Sequence, residues 1–351
     1  MDTLLLRLVV LLGCLGWAHS LSCGSAGNWT IISSQSALAQ YANCTQFLGS
    51  VSINGSDVSD LSPLHSLTSV QLAVEITNTK LFNLQGLSSL QSIGDKFFIH
   101  SNPSMAALDG LAVQVVTGGI FIYDLPVLKS ISSLKFLNYI NPNGSAQYPF
   151  GLSIYRNPAL SSLDGLQNLK TIGNSFFLGD LPLISDFTGL PANITTVNFT
   201  LSSLSTVASF KAFPPLAAVP GTSGVAVTIS SMSVSTLDGL VVPTISNLTI
   251  SSNSQLTSIA ALKSSTLNGP AVTITQNNYL CDYSGINTTA LAIRGGIINI
   301  ANNCGSSTVG SVLGPTPTGL LSLPSSGRST VPGFFVALVA SLTVYFATAH
   351  L

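Results

Sequence analysis

Apolar residues recur along this chain in a repeated block rather than with one simple period. Six ten-residue segments align without a gap and share apolar residues at their fourth, seventh and tenth positions. These segments are NTKLFNLQGL (78–87), NPSMAALDGL (102–111), LPVLKSISSL (125–134), NPALSSLDGL (157–166), LPLISDFTGL (181–190) and NSQLTSIAAL (253–262). Their common form is Asn/Leu-Pro-x-Leu-x-x-Leu-Asp-Gly-Leu, and STLDGL (235–240) is a partial copy. Self-similarity of this kind predicts a repeat architecture.

Short runs of β-branched and aromatic residues lie between the repeated segments, and such alternating runs are typical of strands. They recur at intervals of 21 to 32 residues: Val51–Ile53, Leu72–Val74, Phe97–Ile99, Ile120–Ile122, Leu152–Ile154, Phe176–Leu178, Val197–Phe199, Val225–Ile229, Leu248–Ile250, Val272–Ile274 and Ile297–Ile300. One short strand per repeat predicts an all-β fold. The expected architecture is a right-handed parallel β-helix, or leucine-rich-repeat-like solenoid, of about eleven coils.

Polar template residues have structural roles in this prediction. Glycine in Asp-Gly-Leu permits a tight corner, and the aspartate before it can bond backbone N–H groups there. These aspartates are Asp109, Asp164 and Asp238. The asparagine at the first position follows a strand, where its amide is expected to satisfy backbone groups as an asparagine ladder. The predicted ladder residues are Asn78, Asn102, Asn157 and Asn253.

Both ends of the chain have the composition of targeting signals. Residues 1–20 place one basic residue, Arg7, in an apolar run that closes on small residues, which predicts a cleaved signal peptide. The apolar stretch Val331–Leu351 has no Lys or Arg after it and follows small residues and a polar spacer. This pattern predicts a GPI-attachment propeptide over 326–351 with attachment at Ser325, and a membrane-spanning helix is the alternative.

The segments between these signals divide into two parts. Residues 21–305 contain the repeats and are predicted to form the solenoid, and 306–325 are a Ser/Gly/Pro-rich linker. The whole chain has 11 basic and 12 acidic residues, and charged residues make up only 7%. Such a chain has no basic patch to neutralise phosphates, so nucleic acid is excluded as a partner.

Solubility at so low a charge content requires another polar coat. Eight Asn-x-Ser/Thr sequons are present, at Asn28, Asn43, Asn54, Asn143, Asn193, Asn198, Asn247 and Asn287. In a secreted chain each is a surface position that can carry a glycan. We therefore predict an extracellular glycoprotein.

Cysteine usage agrees with secretion. Cys14 leaves with the signal peptide, and the other four cysteines are Cys23, Cys44, Cys281 and Cys304. Four cysteines in an oxidising compartment imply two disulfides with three alternative pairings. The pairing Cys23–Cys44 and Cys281–Cys304 is favoured because the two pairs lie at opposite ends of the repeats. A zinc site is disfavoured because Cys-x-x-Cys spacing is missing.

The repeated Leu-x-x-Leu-x-x-Ile-Gly and Asn-Pro-x-Leu-x-x-Leu-Asp-Gly-Leu units, with the closing Asn278-Tyr279-Leu280-Cys281 and Cys304, resemble the receptor L-domain. This family occurs in insulin- and EGF-receptor ectodomains and in GPI-anchored fungal cell-wall proteins. The resemblance implies the solenoid fold. Because the receptors' cysteine-rich modules and kinase have no counterpart in this sequence, it also implies an anchored surface or wall protein.

Catalytic and cofactor motifs are not found in the sequence. His65 and His100 fall in different coils with no Cys or acid at ligand spacing, and His100 is expected to be a surface residue, so neither a metal nor a cofactor is predicted. A polysaccharide-cleaving β-helix needs paired acids outside the template. Here Asp109, Asp164 and Asp238 hold corners, and Asp124 and Asp180 hold one equivalent position after a strand. We therefore predict a protein that is not an enzyme, with polysaccharide cleavage as a distant alternative.

The expected function is a structural or organising role at the cell surface or cell wall, with the GPI lipid in the outer leaflet as the membrane partner. The alternative is a co-receptor or adhesin that binds a glycan or protein on a solenoid face. Tyr123, Tyr148 and Tyr155 fall near strand ends and are the expected exposed aromatic residues for carbohydrate stacking.

Overall fold

The computed structural model describes residues 21–141, 151–286 and 296–304, and the backbone of 310–312. Twenty-one strands follow one another along these residues: β1 (Ser22–Cys23), β2 (Trp29–Ile32), β3 (Gln46–Phe47), β4 (Ser50–Asn54), β5 (Ser69–Val70), β6 (Val74–Thr77), β7 (Ser92–Ile93), β8 (Lys96–His100), β9 (Val115–Val116), β10 (Gly119–Tyr123), β11 (Tyr139–Ile140), β12 (Leu152–Tyr155), β13 (Ser175–Gly179), β14 (Ile194–Thr196), β15 (Asn198–Ser202), β16 (Leu216–Ala218), β17 (Val225–Ser230), β18 (Thr244–Ser251), β19 (Thr266–Thr275), β20 (Ile297–Ala301) and β21 (Gly310–Val312). The α-helix described is α1 (Gln35–Leu38), and short 3-10 turns occupy Ala39–Tyr41, Ser62–Leu64, Ser132–Phe136 and Ala260–Ser264.

The strands form a parallel solenoid. The main sheet has the order β2-β4-β6-β8-β10-β12-β13-β15-β17-β18-β19-β20-β21, and its pairs are parallel except the last. A second sheet of two-residue strands has the order β1-β3-β5-β7-β9-β11, and β14 pairs with β16. The fold is therefore the predicted right-handed parallel β-helix of about eleven turns.

The core is built from rows of apolar side chains that run across the main sheet. Register places Val74, Phe97, Ile120, Leu152 and Phe176 in one inward row. Each of these side chains is at most 2% exposed. Burying one such side chain contributes roughly 1.5–3 kcal/mol, but a coil can bury its row only against neighbouring coils.

A left-handed residue ends most strands of the main sheet. The φ angles of these residues lie between 50° and 60° at Asn78, Ser101, Asp124, Arg156, Asp180, Ser203, Ser231, Ser252, Gln276 and Asn302. This conformation costs roughly 1–2 kcal/mol for a residue with a Cβ. The turn keeps its backbone bonded to the next coil, since the N–H groups of Arg156 and Asp180 donate to the carbonyls of Gly179 and Ser202. The turn therefore preserves the register of the stack.

The asparagine ladder exists immediately after this turn. Asn277 is fully buried, and its Nδ2 donates to the carbonyls of Ile250 and Thr275 at 3.0 Å. Its Oδ1 accepts from the backbone N–H of Asn253 at 2.9 Å, and Asn303 repeats the pattern in the next coil. Asn102, Asn157 and Asn253 are the equivalent buried residues in earlier coils.

Asn78 is not part of this ladder, so the prediction for this residue is wrong. Register pairs Thr77 with His100, which makes Asn78 equivalent to the left-handed Ser101 and Thr79 equivalent to Asn102. The Thr79 hydroxyl instead donates to Asn102 Oδ1 at 2.7 Å. Strands β6, β8 and β10 are evenly spaced at 23 residues. The difference lies after the strand, because Thr79 precedes the buried Leu81 by two residues whereas Asn102 precedes the buried Met105 by three, and an ungapped alignment conceals this.

The Asp-Gly-Leu corners use their glycines as expected and their aspartates differently. Gly110 has a φ of 94°, and a Cβ there would lie 2.5 Å from the Cα of Gln85 in the preceding coil. The carboxylate of Asp109 accepts from the Ser133 hydroxyl rather than from a backbone N–H. Backbone capping comes instead from the residue three positions before the glycine, as where Asp186 Oδ1 accepts from the N–H of Thr188 at 2.9 Å.

The strand prediction also needs correction at the start of the solenoid. The main sheet begins one coil earlier than expected, with β2, and the strand expected at Leu72–Val74 is β6 at Val74–Thr77. Glu75 interrupts the apolar run of β6 but points away from the core. The second sheet was not predicted, because two-residue strands are too short to show an alternating pattern.

Disulfides join Cys23 to Cys44 and Cys281 to Cys304, which is the favoured pairing. The sequence separations are 21 and 23 residues, and a loop of this size stabilises the fold by roughly 3 kcal/mol in the chain-entropy model. Both ends of the described solenoid are thereby closed covalently.

Replacing Asn277 by Ala should lower the free energy of unfolding by about 3 kcal/mol, because it leaves the buried Ile250 carbonyl and Asn253 N–H without partners. Urea unfolding followed by circular dichroism measures this loss. Asn268→Ala is the matched control, since Asn268 is exposed and should change stability by less than about 0.5 kcal/mol. Equal losses in the two variants would contradict the ladder's structural role.

Candidate functional site on the outer face of the main sheet

Side chains of the main sheet alternate between the core and an outer face. Parallel register aligns the outward residues of successive strands into rows, because equivalent positions pair across each strand boundary. One row contains Ser52, Glu75, Phe98, Phe121, Ser153 and Phe177, and the other contains Asn54, Thr77, His100, Tyr123 and Tyr155. We call the outward residues of β6, β8, β10, β12 and β13 the aromatic face.

Aromatic rings stack along both rows. The His100 and Tyr123 rings lie 4.6 Å apart at 3°, and the Tyr123 and Tyr155 rings lie 4.8 Å apart at 5°. Phe98 and Phe121 stack at 4.8 Å in the neighbouring row. These distances equal the spacing between parallel strands, so strand pairing itself sets the stacking. Each aromatic pair contributes about 0.5–1.5 kcal/mol beyond its buried area.

Glu75 provides a buried carboxylate at the start of this face. It is the single glutamate in the sequence and is 8% exposed. Its Oε2 accepts from the Ser52 hydroxyl at 2.6 Å, and its Oε1 lies 3.3 Å from His100 Nε2. The His100 Nδ1 lies 3.3 Å from the Thr77 hydroxyl and 3.2 Å from the Ser101 hydroxyl. A carboxylate, an imidazole and three hydroxyls therefore form one hydrogen-bonded group.

His100 is not the plain surface residue that the sequence predicts. Its side chain is 16% exposed, and it lies between the Glu75 carboxylate and the Tyr123 ring. The acid that approaches it is 25 residues earlier in the chain and reaches it through the pairing of β6 with β8. A repeat offset of 23 residues between the two strands was the signal in the sequence that could have found this pair.

An ion pair borders the aromatic face at the left-handed turn. Arg156 donates from Nε to Asp124 Oδ1 at 2.9 Å and from Nη2 to Asp124 Oδ2 at 3.0 Å. The guanidinium also lies 5.2 Å from the centre of the Tyr155 ring. Bidentate geometry makes this pair more specific than an ordinary surface ion pair.

Burial changes the acidity of both tyrosines in the stack. Loss of hydration raises the pKa of Tyr155 to about 12, and the nearby Arg156 cation opposes part of this rise. Loss of hydration also raises the pKa of Tyr123 far above its ordinary range, with a further contribution from Tyr155. Both phenols therefore keep their protons further into the alkaline range than a free tyrosine does.

The expectation of exposed tyrosines is wrong for Tyr123, which is 6% exposed. The rings of His100 and Tyr155 cover its two faces, since all three residues occupy one register row. Tyr155 is partly exposed at the end of the stack, and Tyr148 lies outside the described residues.

A shallow groove of about 610 Å³ runs along the turns beside this face. It is lined by Asp124, Pro126, Arg156, Pro158, Asp180, Pro182 and Ser203. Asp124 and Asp180 hold equivalent left-handed positions, as the sequence predicts. The prolines at the second template position form parallel apolar ridges between charged groups, an arrangement suited to a ligand with both apolar and hydrogen-bonding surfaces.

The sequon asparagines that the structure describes are all exposed: Asn28, Asn43, Asn54, Asn193, Asn198 and Asn247. Asn198 and Asn247 share a row on the outer face of β15 and β18. The strands of the aromatic face carry no sequon asparagine, and Asn54 of the neighbouring strand β4 lies at the border of the face in register with Thr77. Asn143, Asn287 and the predicted attachment residue Ser325 lie outside the described residues.

Within the part of the chain that the structure describes, no three His, Cys, Asp or Glu side chains are grouped to hold a metal ion. Within the same residues, no helix has the length and hydrophobicity needed to cross a membrane.

The fold places this protein in the class of right-handed parallel β-solenoids, with one disulfide at each end of the described coils. The chain matches no protein-family model, no curated protein and no solved structure.

Alkaline pH should destabilise the protein through Tyr155. Its pKa is about 12 in the folded chain and about 10 when unfolded, so the unfolded state loses the proton first. The contribution to stability is complete below pH 10 and is lost as pH rises through 12. Urea midpoints between pH 10 and 12 should fall less steeply in Tyr155→Phe than in the wild type. Phe177→Leu, which removes a neighbouring ring but no hydroxyl, should keep the wild-type slope, and identical slopes in all three proteins would contradict this account.

Proposed function

We propose that this chain is an extracellular glycoprotein with a structural or organising role at the cell surface or cell wall. The observation that carries the proposal is the placement of the sequons: every sequon asparagine among the described residues is exposed on a disulfide-closed solenoid. With 7% charged residues, the surface needs glycans for solubility. Two disulfides also favour folding in an oxidising compartment.

A GPI lipid is the proposed membrane attachment, in the outer leaflet of the plasma membrane or as a step towards the cell wall. Support comes from the sequence of the two ends, a signal peptide over 1–20 and an apolar propeptide over 326–351. The resemblance of the repeats to receptor L-domains in anchored wall proteins supports the same assignment.

The proposed role is not catalytic. Asp109, Asp164 and Asp238 occupy equivalent corners of different coils, and Asp124 is held by Arg156. A glycosidase needs two carboxyl groups on opposite sides of one bond, within about 10 Å of each other. Asp124 and Asp180 line one groove, but the turn of Arg156 lies between them and its guanidinium holds the Asp124 carboxylate.

Ligand binding as a co-receptor or adhesin is the second function we propose, and the groove beside the aromatic face is its surface, because Glu75, Phe121 and Tyr123 are themselves at most 8% exposed. This groove presents the exposed Asp124–Arg156 pair and three proline ridges, and the strands of the aromatic face carry no sequon asparagine. Such combinations of apolar surface and fixed hydrogen-bonding groups can bind sugars or peptides.

Complementation separates the two functions. Deletion of the gene should weaken the cell wall or disturb surface organisation, and the wild type and Arg156→Ala should restore it equally if the role is structural. Thr249→Ala is the matched control, because Thr249 lies on β18, outside the aromatic face and its groove. Restoration by the wild type and Thr249→Ala but not by Arg156→Ala would instead favour ligand binding, and a glycan and protein array of the purified chain would then identify the ligand.

The anchor is tested on intact cells. Phosphatidylinositol-specific phospholipase should release the protein, and mass spectrometry should find ethanolamine on a mature C-terminus near Ser325. The physical reason is that the apolar propeptide is exchanged for lipid during processing. A mature chain that still ends at Leu351 would contradict GPI attachment and would favour the membrane-spanning alternative.

A further inference from the structure

The N-terminal end of the solenoid core is closed by α1 and its contacts. Leu38 is fully buried under the first coils, and Tyr41 packs on Phe47 with ring centres 5.4 Å apart. The Gln35 amide donates to the Asp60 carbonyl at 2.8 Å and accepts from the Ser59 N–H at 2.9 Å, which ties α1 to the next coil. The apolar interior therefore has a cap at this end.

The edge of the main sheet at the same end has no such cap within the described residues. Strand β2 pairs with β4 on one side and is the first strand of the sheet order. Its sequence, Trp-Thr-Ile-Ile, contains no charge and no proline, and Trp29 and Ile31 are 40% and 64% exposed. Natural sheet edges usually carry charges, prolines or bulges that prevent pairing with another chain. This edge carries none of these.

The opposite end of the sheet differs. There β20 pairs with the antiparallel strand β21, so the last parallel strand has a partner on both sides. An edge-covering element is thus present at one end of the described solenoid, and the other end presents an apolar strand.

A sequon begins at the residue before this exposed edge. Asn28-Trp29-Thr30 places the glycan-accepting side chain at the start of β2. The Asn28 N–H donates to the Ser25 carbonyl at 3.1 Å, and its carbonyl accepts from the Ser50 N–H at 2.9 Å. The backbone of Asn28 is therefore fixed against the first coil, and its side chain is exposed. Asn43, a second exposed sequon residue, belongs to the same coil.

We propose that the N-glycan on Asn28 shields the β2 edge, and that without this glycan two copies of the chain associate by pairing their β2 strands. The inference rests on the proposed extracellular glycosylation. A second copy of this chain is the expected partner of the β2 edge, because two identical uncharged strands can pair antiparallel about a two-fold axis. Such pairing satisfies the free backbone groups of both edges and buries Trp29 and Ile31 of each copy on one continuous sheet.

The test uses the full chain purified in detergent from a secretory host, with glycopeptide mass spectrometry and sedimentation analysis. The wild type should carry a glycan on Asn28 and sediment as a monomer. Asn28→Gln should double the sedimenting mass, and Asn247→Gln should not, because β18 already has partners on both sides. The double variant Asn28→Gln/Ile31→Lys should return to a monomer, since a charge on an exposed edge opposes pairing.

Three outcomes would overturn the inference: a monomeric Asn28→Gln protein, equal association of Asn28→Gln and Asn247→Gln, or an unmodified Asn28 beside occupied sequons elsewhere. An absence of glycans from every sequon would overturn the proposed glycoprotein function instead. Should Asn28→Gln fail to be secreted, the wild type and Ile31→Lys can be deglycosylated under native conditions. If the deglycosylated wild type associates and the deglycosylated Ile31→Lys variant does not, pairing through β2 is supported. If both proteins associate equally, or neither does, pairing through β2 is contradicted.

Discussion

Parallel register between coils is the constraint on which the rest of this structure depends. Each coil has an apolar row that it cannot bury alone, so a coil is stable only when its neighbours cover that row. A slip of one residue would turn each inward side chain outward and expose the row. Three devices maintain the register: the strand ladder, the left-handed residue that ends most strands of the main sheet, and the buried asparagines that follow it. The left-handed turns are unfavourable locally, and the hydrogen bonds between coils offset that cost.

The same register creates the candidate site. Because equivalent residues in neighbouring strands lie one strand spacing apart, outward aromatic residues stack without any dedicated support. Glu75 and His100 meet for this reason, although many residues separate them in sequence. The stack removes water from the phenols of Tyr123 and Tyr155 and thereby raises the pKa of both groups. The core and the aromatic face are thus two consequences of one alignment.

Few charges remain on the surface, so the proposed glycans would have a structural role as well as a solubilising one. Charged side chains normally prevent sheet edges and broad faces from associating. In this chain the exposed sequon residues occupy positions where such charges would be expected: Asn198 and Asn247 on the outer sheet face, and Asn28 beside the first strand. The division of the outer face into a sequon-bearing part and an aromatic part follows from this placement.

The sequence by itself determined the solenoid, its approximate number of coils and the pairing of its cysteines. It could do so because the strand, the corner and the apolar row of each repeat are visible as a short pattern in the local sequence. Local patterns also located the sequons and most of the ladder, but they misplaced Asn78, since the residue missing between Thr79 and Leu81 leaves no mark in the template. Only the tertiary structure decided which outward residues meet. The contacts of Glu75 with His100 and of Asp124 with Arg156, the burial of Tyr123 and the open edge of β2 all depend on register between coils, which no single segment encodes.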